Sequence, residues 1–184
     1  MPDINFYYLE EATLSNLNRI FLSGEIPFLR LSKFLEGDAV EVNPNQETKE
    51  KIGFYRRKVG PAVLDEVWKS PEFTDFLKKI TGLNLGFRKS NNFSYSGGDY
   101  SLLHAEELEK KRVVVAYDFT KSWRYEWGGH DIYSSPGKDP LICSRDFGSL
   151  MIVKLEQGDL SCTRYTSLGA KSEVQLDRII YDIK

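Results

Sequence analysis

The chain has 184 residues, 41% of them hydrophobic and 28% charged, with a formal net charge of −2. That suffices for one domain with a real core, and it offers no broad basic field to gather nucleic acid. No apolar run reaches the roughly 18 residues of a membrane span, and the opening Met-Pro-Asp-Ile-Asn lacks the basic start and apolar stretch of a signal peptide. The two cysteines, Cys143 and Cys162, fit a reducing, cytoplasmic setting better than a disulfide scaffold, with one bridge between them as the alternative. Ten Tyr and eleven Phe suit a well-filled β core, and secondarily an aromatic-lined pocket.

In chain order, Phe6-Tyr7-Tyr8-Leu9 reads as a first strand. Glu10 to Gly24 reads as a helix, because Leu14, Leu17, Ile20 and Phe21 recur at helical spacing and Gly24 supplies a stop. Ile26 to Leu35 is apolar but interrupted by Pro27, and is expected to be extended before a short helix. Glu36 to Glu50, with Gly37 and Pro44, is the best loop candidate, a surface loop before a lid. Lys51 to Gly60 fits no single pattern. Pro61 to Lys69 reads as helical, with Val63, Leu64 and Val67 on one face. A clearer helix follows. Ser70 is an N-cap, Pro71 occupies the first turn, and Phe73, Phe76, Leu77 and Ile80 make one face. Lys78 and Lys79 suit the dipole at its end, and Gly82 closes it.

After Gly82 the texture turns to short strand-like runs: Leu83–Phe87, Asn92–Tyr95, Tyr100–His104, Val113–Phe119, His130–Tyr133, Leu141–Cys143, Ser149–Leu155, Leu160–Thr166 and Val174–Ile183. Helices first and strands after argue an α+β fold with an antiparallel sandwich or jelly roll. Within these runs, Gly97-Gly98-Asp99 turns one strand into the next. The second strand carries His104 and, two residues on, Glu106. On a strand, residues i and i+2 face the same way, so an imidazole and a carboxylate can meet at one point. They are two of the three groups of a two-histidine, one-carboxylate iron(II) site. Surface polarity is the commoner meaning of a lone His-x-Glu triplet.

Several separated stretches together resemble the catalytic domain of iron(II)- and 2-oxoglutarate-dependent oxygenases of the prolyl-4-hydroxylase-like branch. These are the helix Ser70–Gly82, the strand pair Tyr95–Glu106, the strand Arg112–Tyr117, the tryptophan and Gly-Gly pair of Trp123–Gly129, and the strand Asp146–Val153. The resemblance covers about half the chain. It implies a double-stranded β-helix (jelly-roll) core over 83–184, preceded by a mainly helical part over 1–82, in a single domain. It also implies iron(II) and 2-oxoglutarate as cofactors and a small-molecule or peptidyl substrate. His104 and Glu106 would be metal ligands, and Tyr95, Tyr117 and Arg178 would lie at the co-substrate.

The chain departs from the pattern in three ways. Glutamate stands where the family has aspartate. No histidine stands near Ser161-Cys162-Thr163, so the third ligand falls to Cys162, His130 or water. On the last strand, if Tyr181 matches the family's aromatic, Gln175 occupies the arginine's place. Alternation then sets Gln175, Asp177 and Tyr181 opposite Arg178, so that a register shift or bulge is needed to bring Arg178 into the pocket. Two functions follow: a hydroxylase-type oxygenase with an altered metal site, or an inactive jelly roll serving in binding or assembly. Metal-binding barrels of the cupin type are a third relation, disfavoured by the preceding helix and the Trp-to-Gly-Gly stretch.

Overall fold

The computed structural model describes residues 3–37, 48–104 and 111–184. Helix α1 spans Glu11–Ser23, the short α2 Asp65–Lys69, and α3 Pro71–Thr81. The caps of α3 are those its sequence specifies. The Ser70 side chain accepts the Phe73 N–H at 3.1 Å, and Gly82 ends the helix at φ +69°, a left-handed turn open to glycine because it has no Cβ. Phe73, Leu77 and Ile80 are fully buried beside Phe21 of α1.

Eleven strands are described: β1 (Phe28–Leu31), β2 (Thr48–Ile52), β3 (Tyr55–Gly60), β4 (Leu85–Tyr95), β5 (Tyr100–Ser101), β6 (Arg112–Asp118), β7 (Asp131–Ser134), β8 (Leu141–Cys143), β9 (Leu150–Leu155), β10 (Leu160–Thr163) and β11 (Val174–Ile183). The larger sheet runs β1-β9-β6-β11-β4-β3-β2, with β5 on β3, and the smaller runs β10-β7-β8. All pairings are antiparallel. A bridge between His104 and Ser161 ties the end of the β5 segment to β10 of the smaller sheet.

Alternation sorts the larger sheet into two faces. Val113, Val115, Tyr117, Ile152, Ile179 and Tyr181 face the helices. Val114, Ala116, Met151, Val153, Phe93 and Leu176 face inward, against Tyr133 and Cys143 of the smaller sheet. Two antiparallel sheets closed over a shared interior, with helices on the outside of one, make an α+β double-stranded β-helix, or jelly roll. No helix among the described residues is long and apolar enough to cross a membrane.

Several local expectations change. Phe6–Leu9 is a 3-10 helix, and Asn5 accepts the Tyr7 N–H at its start; side-chain capping wins over strand propensity. Ile26–Leu35 yields strand β1, paired with β9. The ambiguous 51–60 region is most of a hairpin, β2–β3, whose β3 joins the larger sheet through β4, so the stretch before residue 82 contributes strands as well as helices. The two runs Leu83–Phe87 and Asn92–Tyr95 are one strand, β4. Its polar centre continues because it has partners: the Asn92 amide donates to Asp177 at 2.9 Å and Ser90 donates to Asp65. Of the expected loop 36–50, residues 38–47 lie outside the described residues. The Gly-Gly pair has a packing reason. At Gly128, φ +74°, a Cβ would stand 2.2 Å from the Tyr165 carbonyl oxygen.

Candidate functional site

Asp177 and Arg178 are neighbours on β11 and point to opposite faces. Asp177 faces the helices and accepts from the Val63 and Leu64 N–H groups, Trp68 Nε1 and the Asn92 amide at 2.8–2.9 Å. Burial pushes its carboxyl pKa up, and these donors only partly offset the rise. Arg178 faces inward without help from a bulge; the register shift on β11 comes later, between Ile180 and Tyr181. Inside, its Nη2 lies 3.1 Å from Asp131 Oδ1. Arg145 Nη2 lies 2.8 Å from the same oxygen, and Thr163 Oγ1 donates to it at 2.8 Å. The Tyr95 hydroxyl stands 3.3 Å from Thr163 Oγ1. Burial alone would raise the Asp131 pKa, but the two guanidiniums outweigh it and hold the carboxyl below its ordinary value. The smaller sheet thus places a carboxylate between two arginines in a dry interior.

Beside this cluster the barrel interior opens as a cavity of about 440 Å³. Arg57, Lys89, Arg112 and Arg178 line it, against one carboxylate, Glu50, among the described lining residues. Arg57 reaches in from β3 between two rings, its guanidinium carbon 4.0 Å from the Tyr55 centroid and 4.3 Å from that of Phe93. Arg178 stands over the same Phe93 ring at 5.6 Å. Glu50 meets Arg57 Nε at 2.9 Å across the hairpin. A concave, aromatic-walled space with an excess of guanidinium is chemically a site for a small anion.

Tyr95 and Arg178 come together in the interior through Thr163 and Asp131. His104 stands at the rim, its ring 4.8 Å from that of Tyr55, a cavity residue. Its Nδ1 donates to the Leu102 carbonyl at 2.6 Å. Glu106 lies outside the described residues. Tyr117 does not share this space. It stands on the helix-facing side of β6, its ring 5.6 Å from Trp68, and burial pushes its phenol up to about 12. The even-numbered residues of β6, Val114 and Ala116, are the ones that face the cavity side. That alternation keeps Tyr117 out of the cavity.

The alternative third ligands are not brought in either. Cys162 alternates with the buried Ser161 and Thr163 and pairs with Ile132, which puts it on the outer face of β10; burial raises its thiol pKa and disfavours the thiolate. His130 is fully buried, stacked on Tyr125 at 4.3 Å, and its Nε2 donates to the Tyr125 carbonyl at 3.0 Å. Across from His104 stands Ser161. Among the described residues no group of three His, Cys, Asp or Glu side chains converges to hold a metal ion. Those described residues do not by themselves make a three-ligand iron centre.

Sequence reasoning missed Asp131, Arg145, Arg57 and Arg112. A signal existed for two of them. Asp131 alternates with the buried Tyr133, and Arg57 lies between Tyr55 and Val59 on one face of a hairpin strand.

The fold is that of 2-oxoglutarate and iron(II) oxygenases of the prolyl-4-hydroxylase-like kind. Among solved structures, an oxidoreductase of the 2OG-Fe(II) oxygenase family from Burkholderia pseudomallei superposes with a TM-score of 0.73 at 12% identity, over 94% of this chain and 92% of that one. A Pseudomonas putida prolyl-4-hydroxylase gives 0.70 at 10% identity, over 93% and 99%. A Trichoplax adhaerens prolyl hydroxylase, in complex with a hypoxia inducible factor oxygen degradation domain peptide fragment, gives 0.70 at 11% identity, over 95% and 94%. No protein-family model and no curated protein matches the chain.

Proposed function

We propose that the barrel cavity binds a small organic dianion of the 2-oxoglutarate kind, and that the binding rests on cationic side chains instead of on a metal. The observation that carries this reading is the cavity wall itself, whose described lining residues bring four cations and one carboxylate around about 440 Å³. Arg57, Lys89 and Arg112 bring guanidinium and ammonium donors to that wall. Arg178, neutralised by Asp131, contributes position more than field. The chain then works as an oxygenase-type barrel turned to ligand binding.

The place of His104 favours a second reading, a hydroxylase-type oxygenase. His104 lies at the mouth of the cavity, with Glu106 two residues on, so iron(II) would rest on these two side chains and be completed by ligands from outside the chain. When bound, iron(II) and 2-oxoglutarate together supply oxidative decarboxylation, and the substrate would be a small molecule or a peptidyl side chain. Loss of a ligand weakens such a site by more than the 10–100-fold typical of losing a partner around it, which ranks this reading second. Anaerobic iron(II) uptake followed by a succinate assay separates the two. Binding of 2-oxoglutarate without succinate supports the first reading, and stoichiometric succinate release overturns it.

A further inference from the structure

Two of the arginines that line the cavity, Arg57 and Arg178, differ in what already occupies them. Arg178 is held by Asp131 in a cluster where Arg145 and Thr163 share the same carboxylate oxygen. To turn to a ligand it would have to give up a buried counter-charge. Arg57 is placed otherwise. Its side chain is only 10% exposed, Nε is taken by Glu50, and Nη1 is buried with no hydrogen-bond partner among the described residues. A buried guanidinium N–H without an acceptor is a standing cost that an incoming oxygen relieves. The rings of Tyr55 and Phe93 hold the guanidinium plane in place, so a ligand gains a pre-oriented donor. Glu50 is a third exposed, on a strand that among the described residues pairs only with β3, and it can turn to water when another carboxylate takes its place.

On the reading that the cavity takes a small dianion, we infer that Arg57 is the anion anchor, and that the ligand's carboxylate exchanges with Glu50 to form a two-pronged pair with the guanidinium. The anchor then comes from the hairpin, and the last strand, where the sequence places its arginine, supplies a braced wall. The exchange makes Glu50 a built-in competitor that sets the affinity.

The test is a calorimetric titration of the full chain, freed of metal with chelator, with sodium 2-oxoglutarate, alongside R57Q, R57K and E50Q and a thermal melt of each variant. The inference predicts that R57Q weakens binding by roughly tenfold or more and that R57K recovers only part of it, because an ammonium offers no fork. E50Q is predicted to bind tighter by about threefold to tenfold, since a neutral amide competes less well for the guanidinium. A gain in E50Q is a result that a merely structural role for Arg57 does not produce. Binding by the parent chain with R57Q unchanged, or with E50Q no tighter, overturns the inference and leaves the cavity reading standing. No uptake by the parent chain overturns both. Should R57Q melt early, the E50Q titration decides alone.

Discussion

The two faces of β11 show how one strand serves two purposes. Outward, Asp177 meets four N–H donors from the α2 region and β4, and Tyr181 donates to the Trp68 carbonyl among aromatic rings. Every polar atom of the Asp177 carboxylate has an acceptor role filled, and the face is closed. Inward, one residue on, Arg178 enters a charged cluster and the wall of a cavity with more cations than anions. A closed polar network fixes a fold, while a concave wall carrying several cations offers a place for an anion. The outer face therefore reads as the clamp between helices and sheet, and the inner face as the working side.

That contrast is sharpest at Asp131. Asp131→Ala leaves Arg145 and Arg178 buried without their shared counter-charge and is expected to cost about 3–5 kcal/mol in urea unfolding; a loss under about 1 kcal/mol would mean the cluster is solvated and not a dry one. On the outer face, Trp68→Phe keeps most of the volume but removes one donor from Asp177. It should cost about 1–3 kcal/mol and leave 2-oxoglutarate affinity unchanged. An affinity loss there would blur the division between the faces. Ser70→Ala removes the cap of α3 and is expected to cost about 1 kcal/mol with no effect inside the barrel. The smallest effect is pH-dependent. Burial lowers the His130 pKa below its ordinary 6.5, so the folded protein binds that proton less readily than the unfolded chain does. The His130 contribution is then complete above about pH 6.5 and declines as pH falls from there to the lowered folded value. Comparison with His130→Asn, across pH 7.5 to 5 in urea melts, should show a shallower slope in the variant.

The α+β order and an antiparallel sandwich or jelly roll could be read from the chain because strand period and turn residues repeat that information many times after Gly82; the choice of the jelly roll came from the family resemblance. Ser70, Pro71 and Gly82 carried the ends of α3 for the same reason: capping is local chemistry. The hairpin β2–β3 was not legible, since the consecutive run Arg56-Arg57-Lys58 hides its alternation: Arg56 is 52% exposed and Arg57 only 10%. Polar residues at 90–92 looked like a break in a strand and are in fact its partners to Asp65 and Asp177, a long-range fact no local pattern contains. For the site, alternation along β11 did separate Asp177 from Arg178. Which of the two faces looked inward depended on packing, and so did the exclusion of Tyr117. Asp131 was invisible because its meaning lies in Arg145 and Arg178, brought to it from two other parts of the chain.

The most direct test of the central claim is whether the barrel takes up 2-oxoglutarate when metal is absent. In a titration under excess chelator, repeated anaerobically with iron(II), the cationic cavity predicts binding in both arms with closely similar affinity. Uptake that appears only when iron(II) is present would mean that the ligand hangs on a metal held by this chain, and would contradict the account.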